Sequence, residues 1–428
     1  MKIHMFFRNK TFRNSTTCLV VALLCSCAGG GSNSNNRQEE IKNEVLIGTS
    51  SGEASRRIIV DEVRQRIVIT GYTEGDLNGE VNAGGRDIFV AEYDLDLNEK
   101  WTTLIGTSSD DEGYAMAINS VGEIFVSGTT QGDLGGKTNE GLTDAFLAKL
   151  DVAGNTQWIE LLGTTGDDEA RGLSIDSDDN IYVAGGSAGS LGGLPYAGGV
   201  RDMFLAKYDD SGNMVWLKLV GGVFSDVIRD VVVDTNDNIY VCGWYSEGGA
   251  QIYLAKYDTS GSLRWSRMLG EPGNDFCGKV ITDTAGNIYL TGDSVTNLDG
   301  NLNQGDRDIV IAKYDSAGNK LWAQLVGSIA EERGRAIGLY SDNTIFVTGS
   351  SFGDLIGESN LGMDDIFVSS FHSDGNLQLV NLYGTADSDQ ANAIDISSDG
   401  AVYITGRTGG DLDGGINAGD DDIFIKKL

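Results

Sequence analysis

Residues 420–428, DDDIFIKKL, decide the fold. Six earlier stretches resemble them, among them DAFLAKLDVAGNTQWIELLG (144–163) and DMFLAKYDDSGNMVWLKLVG (202–221). Each of those passes through a turn into a further apolar segment, whereas the copy that reaches Leu428 has no such continuation. Its missing strand has to come from elsewhere in the chain, and the place it comes from sets the architecture.

Aligned on the glycine that closes LIG, LLG or LVG, with MLG and LYG in two copies, the repeat falls at Gly48, Gly106, Gly163, Gly221, Gly270, Gly327 and Gly384, with spacings of 58, 57, 58, 49, 57 and 57 residues. The short copy lacks a loop, as GWYSEGGAQIYLAKYD (243–258) shows. Each period holds four short β patterns. ARGLSID (170–176) is apolar at alternate positions near its end, and NIYVAG (180–185) is rich in β-branched and aromatic residues. DMFLAKYD (202–209) and NMVWLKLVG (213–221) follow. Tight Asp/Asn/Gly turns such as DTAGN and DSAGN join the first strand to the second and the third to the fourth. No segment sustains a helical period. Four antiparallel strands repeated seven times predict an all-β, seven-bladed β-propeller. An open array would leave exposed edges and need caps. Closure is expected instead: IKNEVLIGTS (41–50) matches a fourth strand and precedes the first full repeat, so it should complete the last blade, whose other strands lie in 391–428.

The motifs GTTGDDEARGLSIDSDDNIYVAG (163–185) and DAFLAKLDVAGNTQW (144–158) resemble the SBBP β-propeller repeat family of bacterial envelope and secreted proteins, and the resemblance runs over residues 44–428. It implies the propeller fold. It implies no single activity and brings no catalytic motif.

The N-terminus has a different character. MKIHMFFRNKTFRN is basic, and CLVVALLCSC is apolar but too short to span a bilayer. Leu24-Cys25-Ser26-Cys27 resembles the lipobox of bacterial lipoproteins, with Cys25 an unusual middle residue. The expected organisation is a signal peptide over 1–26, a flexible tether over 27–40 and the propeller over 41–428, with Cys27 lipidated. The protein is then held at the bacterial cell envelope, in the outer membrane, by its lipid. Its orientation is left open.

Loss of 1–26 removes four cations and no acid, so the whole chain's charge of -32 becomes -36. That charge favours solubility, repels anionic surfaces and disfavours nucleic acid. Cys242 and Cys277 lie in neighbouring repeats. An oxidising envelope permits a disulfide, but two buried thiols are the expected state.

Candidate chemistry is sparse. Past the signal peptide the one histidine is His372, expected to face solvent in a turn, and multi-His zinc sites are excluded. Trp101, Trp158, Trp216, Trp265 and Trp322 each stand five residues before the alignment glycine, where interblade packing is their expected role. Five residues after that glycine stand Glu53, Asp111, Asp168, Asp226, Asp275, Glu332 and Asp389, a carboxylate in all seven copies. Either each caps its own turn, or together they form a ring at the channel mouth able to hold a cation. A second acidic set lies in long loops such as GDLDGGINAGDDD (410–422), whose oxygen-rich side chains suit Ca²⁺ but lack the EF-hand pattern. Asp87, Asp144, Asp202, Asp308, Asp365 and Asp422 open the third strand, with turn capping as their expected role.

The connection between blades shares a face with the loop between the second and third strands. The variable loops and the seven acids therefore fall on one face, which is where binding is expected. The sequence reads as an envelope lipoprotein, not an enzyme, whose propeller binds an envelope protein or glycan through that acidic face. The alternative is a carbohydrate-active enzyme using paired carboxylates there.

Overall fold

The computed structural model describes residues 42–298, 300–340 and 344–428. The signal peptide, the tether and the Cys27 assignment lie outside the described residues. From Lys42 onward the chain is a closed seven-bladed propeller of four-stranded antiparallel blades. Among the described residues no helix is long and apolar enough to cross a membrane.

Blade 3 shows the pattern. Its inner strand is Asp168–Ile175, followed outward by Ile181–Ser187, Asp202–Tyr208 and Met214–Val220. The middle two strands are buried on both faces and read as nearly continuous apolar runs. The outer strand, covered on its inner side only, is half-buried in the middle and exposed at both ends. The apolar cores lie between blades. Phe125, Ala145 and Leu147 of blade 2 pack with Leu173, Val183 and Phe204 of blade 3, and every other junction repeats the arrangement.

The last blade closes as the sequence requires. Glu44–Ile47 pairs antiparallel with Asp422–Lys427, in the register Glu44 with Lys426 and Ile47 with Ile423. Lys426 Nζ meets Glu44 Oε2 at 2.7 Å, and Ile47 joins the core shared by the last blade and blade 1.

The tryptophans occupy the expected interblade position. The rings of Trp158, Trp216, Trp265 and Trp322 cover the outer turn glycine of the following blade. Trp216 Nε1 and Trp322 Nε1 donate to carbonyls of those turns, Thr259 and Ser373, at 3.1 Å.

One expectation is corrected. Cys242 and Cys277 form a disulfide and are not a pair of free thiols. Cys242 lies in the second strand of blade 4 (Ile239–Ser246), and Cys277 in the inner strand of blade 5 (Phe276–Thr282). Blade stacking sets these strands side by side, an adjacency that no local sequence pattern records.

Candidate functional site: the central channel and the loop face

The seven acids lie at the start of the seven inner strands or one residue before, and all are fully buried. Each is bonded within its own blade. Asp111 Oδ2 accepts the Thr107 N–H at 2.6 Å and the Thr107 hydroxyl at 2.9 Å. Asp168 is held in the same way by Thr164, Asp389 by Thr385 and Glu332 by Ser328. Thr49 N–H donates to Glu53, Gly222 N–H to Asp226, and Val295 N–H and the Ser294 hydroxyl to Asp275. Their geometry is that of turn caps. None lines the channel cavity, so the structure does not bring the seven together around one ion.

The third-strand aspartates also cap. The Asp87, Asp144 and Asp422 carboxylates each accept a loop N–H from four residues before, at 2.7–2.9 Å. Their other oxygen, Oδ1, is buried without a partner. The alignment glycine makes this placement fit, because a Cβ at Gly106 would stand 2.1 Å from Asp87 Oδ1. In the short blade Gln251 stands in for the aspartate and donates to the Gly270 carbonyl. Burial, and then the neighbouring Asp111, push the Asp87 carboxyl above its ordinary range; burial likewise leads for Asp144, Asp308 and Asp422.

The long loops also spend their oxygen atoms internally. Asp76, Asp133, Asp354 and Asp411 each accept the N–H of an asparagine six residues on, at 2.9 Å. Among the described residues no three Asp, Glu, His or Cys side chains converge to hold a metal ion. His372 is exposed and pairs with Asp374 at 3.3 Å.

The channel itself holds residues that the repeat pattern conceals. Every inner strand carries a β-bulge three residues after its acid, at Arg56, Tyr114, Arg171, Arg229, Gly278, Arg335 and Asn392. A bulge re-aims its residue and interrupts the ladder. All seven line a central cavity of about 670 Å³. A glycine in the second strand seats each bulge: a Cβ at Gly185 would stand 1.8 Å from the Glu169 carbonyl oxygen, and the other six blades repeat the contact.

Four of the seven bulge residues are arginines. Arg57, Lys279, Arg307 and Arg333 bring the lining to eight cations, against three acids, Glu112, Asp230 and Asp293. Counting Glu169, Glu331 and Asp395 behind the wall still leaves two positive charges in excess, in a chain whose net charge is -32. Aromatic rings hold several of the guanidinium groups. Arg171 lies 4.5 Å from the centre of the Tyr114 ring, Arg229 lies 6.0 Å from Trp244, and Arg307 lies 5.2 Å from Phe276. Burial and the neighbouring Arg171 lower Arg229 to about 9, and burial and Arg56 lower Arg335 to about 10, so both stay cationic at neutral pH. Burial and the nearby Arg57 bring Lys279 down to about 7. The sequence signal for this site was an arginine in four of seven copies at one repeat position, R-Y-R-R-G-R-N.

Against known proteins, four stretches match the SBBP beta-propeller repeat: residues 100–135, 157–192, 215–244 and 264–299. The chain is 26% identical over 175 residues to the Regulatory protein FlaEY of Caulobacter vibrioides, covering 37% of this chain and 18% of that protein. It is also 26% identical over 184 residues to an uncharacterized WD repeat-containing protein of Acanthamoeba polyphaga mimivirus, covering 34% of this chain and 13% of that one. The chain thus spans less than a fifth of either relative. Among solved structures it resembles the Pan2 WD40 domain of Neurospora crassa, with a TM-score of 0.51 and 11% identity over 90% of this chain and 96% of that one. At that identity the likeness concerns the fold alone.

Proposed function

We propose that the protein is a binding scaffold of the bacterial cell envelope, anchored by a lipid on Cys27, whose propeller engages an envelope protein or glycan through its loop face. The observation that carries this reading is the composition of that face. Val81, Leu142, Val200, Leu302, Leu361 and Ile416, one from each long loop, are all at least 64% exposed among acidic neighbours. Ile329, in the connector between blades 5 and 6, is 91% exposed. The turns of the opposite face show large apolar side chains singly, at Val63, Val121 and Val152. Recurrent apolar groups on ordered acidic loops suit a partner that covers them. The disulfide fits an oxidising compartment. The buried carboxylates of the blade junctions are engaged by their own turns, which favours binding over hydrolysis by paired carboxylates.

Photo-crosslinking in native envelopes tests the face. A crosslinker at Val81, Leu142 or Ile416 should trap one defined species, and a crosslinker at Val63 or Val121 should not. Equal capture from both faces, or none from either, would overturn the assignment. Cys27→Ser should abolish fatty-acid labelling and release the protein from membranes; labelling that persists in the variant would count against the anchor.

A further inference from the structure

We infer that the central channel is a binding site for a small multivalent oxyanion, a molecule carrying two or more phosphate or carboxylate groups. The inference goes beyond the loop-face reading and does not depend on it.

The first ground is charge without partners. Among the described residues neither Arg229 nor Lys279 has a carboxylate within ion-pair distance. Among the described residues the Arg335 guanidinium makes one hydrogen bond, a 3.4 Å contact with the amide oxygen of Gln390. The Nε atoms of Arg56, Arg171 and Arg335 are buried with no hydrogen-bond partner among the described residues. Buried cations ordinarily carry a paired acid, because an unpaired one is costly to desolvate. This chain has 63 acids to 31 Lys and Arg, so a lack of available carboxylates does not explain the gap.

The second ground is construction. The arginines reach the channel because each inner strand bulges at that residue, and the Arg171 and Arg229 guanidinium groups lie 4.5 and 6.0 Å from the centres of the Tyr114 and Trp244 rings. A ring face beside a guanidinium restricts it without using its N–H groups: Arg229 keeps its fork for a bidentate oxyanion, whereas Arg171 already spends one N–H on Glu169 at 2.7 Å. Guanidinium groups from blades 1, 3, 4 and 6 approach from different directions, which suits several oxyanion groups on one molecule. The third ground is access. Inner strands begin at the loop face, and Arg307, from a long loop, belongs to the lining, so the cavity meets solvent on that side. An acidic rim over a cationic well would exclude polyanionic macromolecules such as nucleic acid and admit a small anion.

Lys279 faces Arg57 of blade 1, Asp230 of blade 4 and Asp395 of blade 7. With its ammonium titrating at about 7, the channel holds more positive charge below neutrality than above it.

Calorimetry on the purified full chain, in chloride buffer, with pyrophosphate, citrate and inorganic phosphate as probes, tests the site. Pyrophosphate or citrate should bind one per chain and more tightly than phosphate. Arg229→Gln and Arg335→Gln should each weaken binding about tenfold or more, while Arg264→Gln on the outer strand leaves it unchanged. Neither channel substitution orphans an acid, so both variants should fold with an unchanged or raised melting temperature in the absence of anion. The anion should raise the melting temperature of the wild type and do so less in the two variants. No heat and no melting shift from any probe at about 5 mM, or wild-type affinity in both channel variants, would overturn the inference. Loss of the loop-face partner with anion binding intact would count against the loop-face reading alone.

Discussion

At the residue scale, the glycines of the second strands decide whether the channel can be built. Each lies where the bulged inner strand comes closest, and at Gly185 the added methyl would collide with the Glu169 backbone as well as its carbonyl oxygen. Gly185→Ala is expected to cost about 2–4 kcal/mol, read as a lower melting temperature, with Gly186→Ala as a comparison facing side chains that can yield. The buried aspartates predict an unusual pH profile. Their folded-state acidities are weakened by burial, so the stability they contribute is full below the unfolded carboxylate range and is lost as pH rises through the raised values. Exposed turn acids such as Asp94 and Asp258 go the other way. Although its slight burial acts upward, Lys100 and Asn98 hold Asp94 at about 2; bonds from Ser260 and Ser262 hold Asp258 at about 2, so their contribution fails only in stronger acid. The melting temperature should therefore peak near the unfolded carboxylate range, at about pH 4. Asp87→Asn combined with Asp144→Asn should flatten its decline on the alkaline side of that peak; an unchanged slope in the double variant would refute the assignment.

At the scale of the element, local hydrogen bonds were legible in the sequence and contacts between strands were not. An acid four residues after a Thr or Ser, as in Asp111 after Thr107, is a turn cap that spacing alone can suggest. The same spacing suggested a carboxylate ring, because repetition places seven acids at one height but says nothing of what each is bonded to. The bulge arginines escaped notice because a bulge is defined by a count across two strands. In a single sequence Arg229 is one more residue in a strand of ordinary length. The disulfide was missed for a related reason: Cys242 and Cys277 meet only once blade 4 stacks on blade 5. It closes a loop of 35 residues between adjacent blades, for which constraint of the unfolded chain contributes about 3–4 kcal/mol. Reduction, or Cys242→Ala with Cys277→Ala, should lower stability by that order in denaturant melts. A reductant with no effect on the wild-type midpoint would show the thiols to be unpaired.

At the scale of the whole molecule, closure joins the two ends of the ring, and the sequence revealed it through the repeat phase. Without Glu44–Ile47 the third strand of the last blade, Asp422–Lys427, would show an open edge. The junction with blade 1 would also lose Ile47, which is buried, and Val45, which packs against the same core. Full burial of such side chains contributes about 1.5–3 kcal/mol each, and the ladder to residues 423–426 and the Lys426–Glu44 pair would be lost as well. In a ring the damage extends beyond one blade, since every blade is held by neighbours on both sides and opening one junction leaves two unprotected faces. Deleting residues 41–48 should therefore lower the melting temperature, broaden the transition and promote aggregation, because the exposed strand can pair with another chain. A synthetic peptide of residues 41–50, IKNEVLIGTS, should bind the truncated protein and restore a sharp transition by refilling the edge in its native register. The same peptide with Val45 and Ile47 replaced by Asp should not. A truncated protein that melts as the full chain does, or a rescue equally good with the substituted peptide, would show that the ring is held closed without this strand.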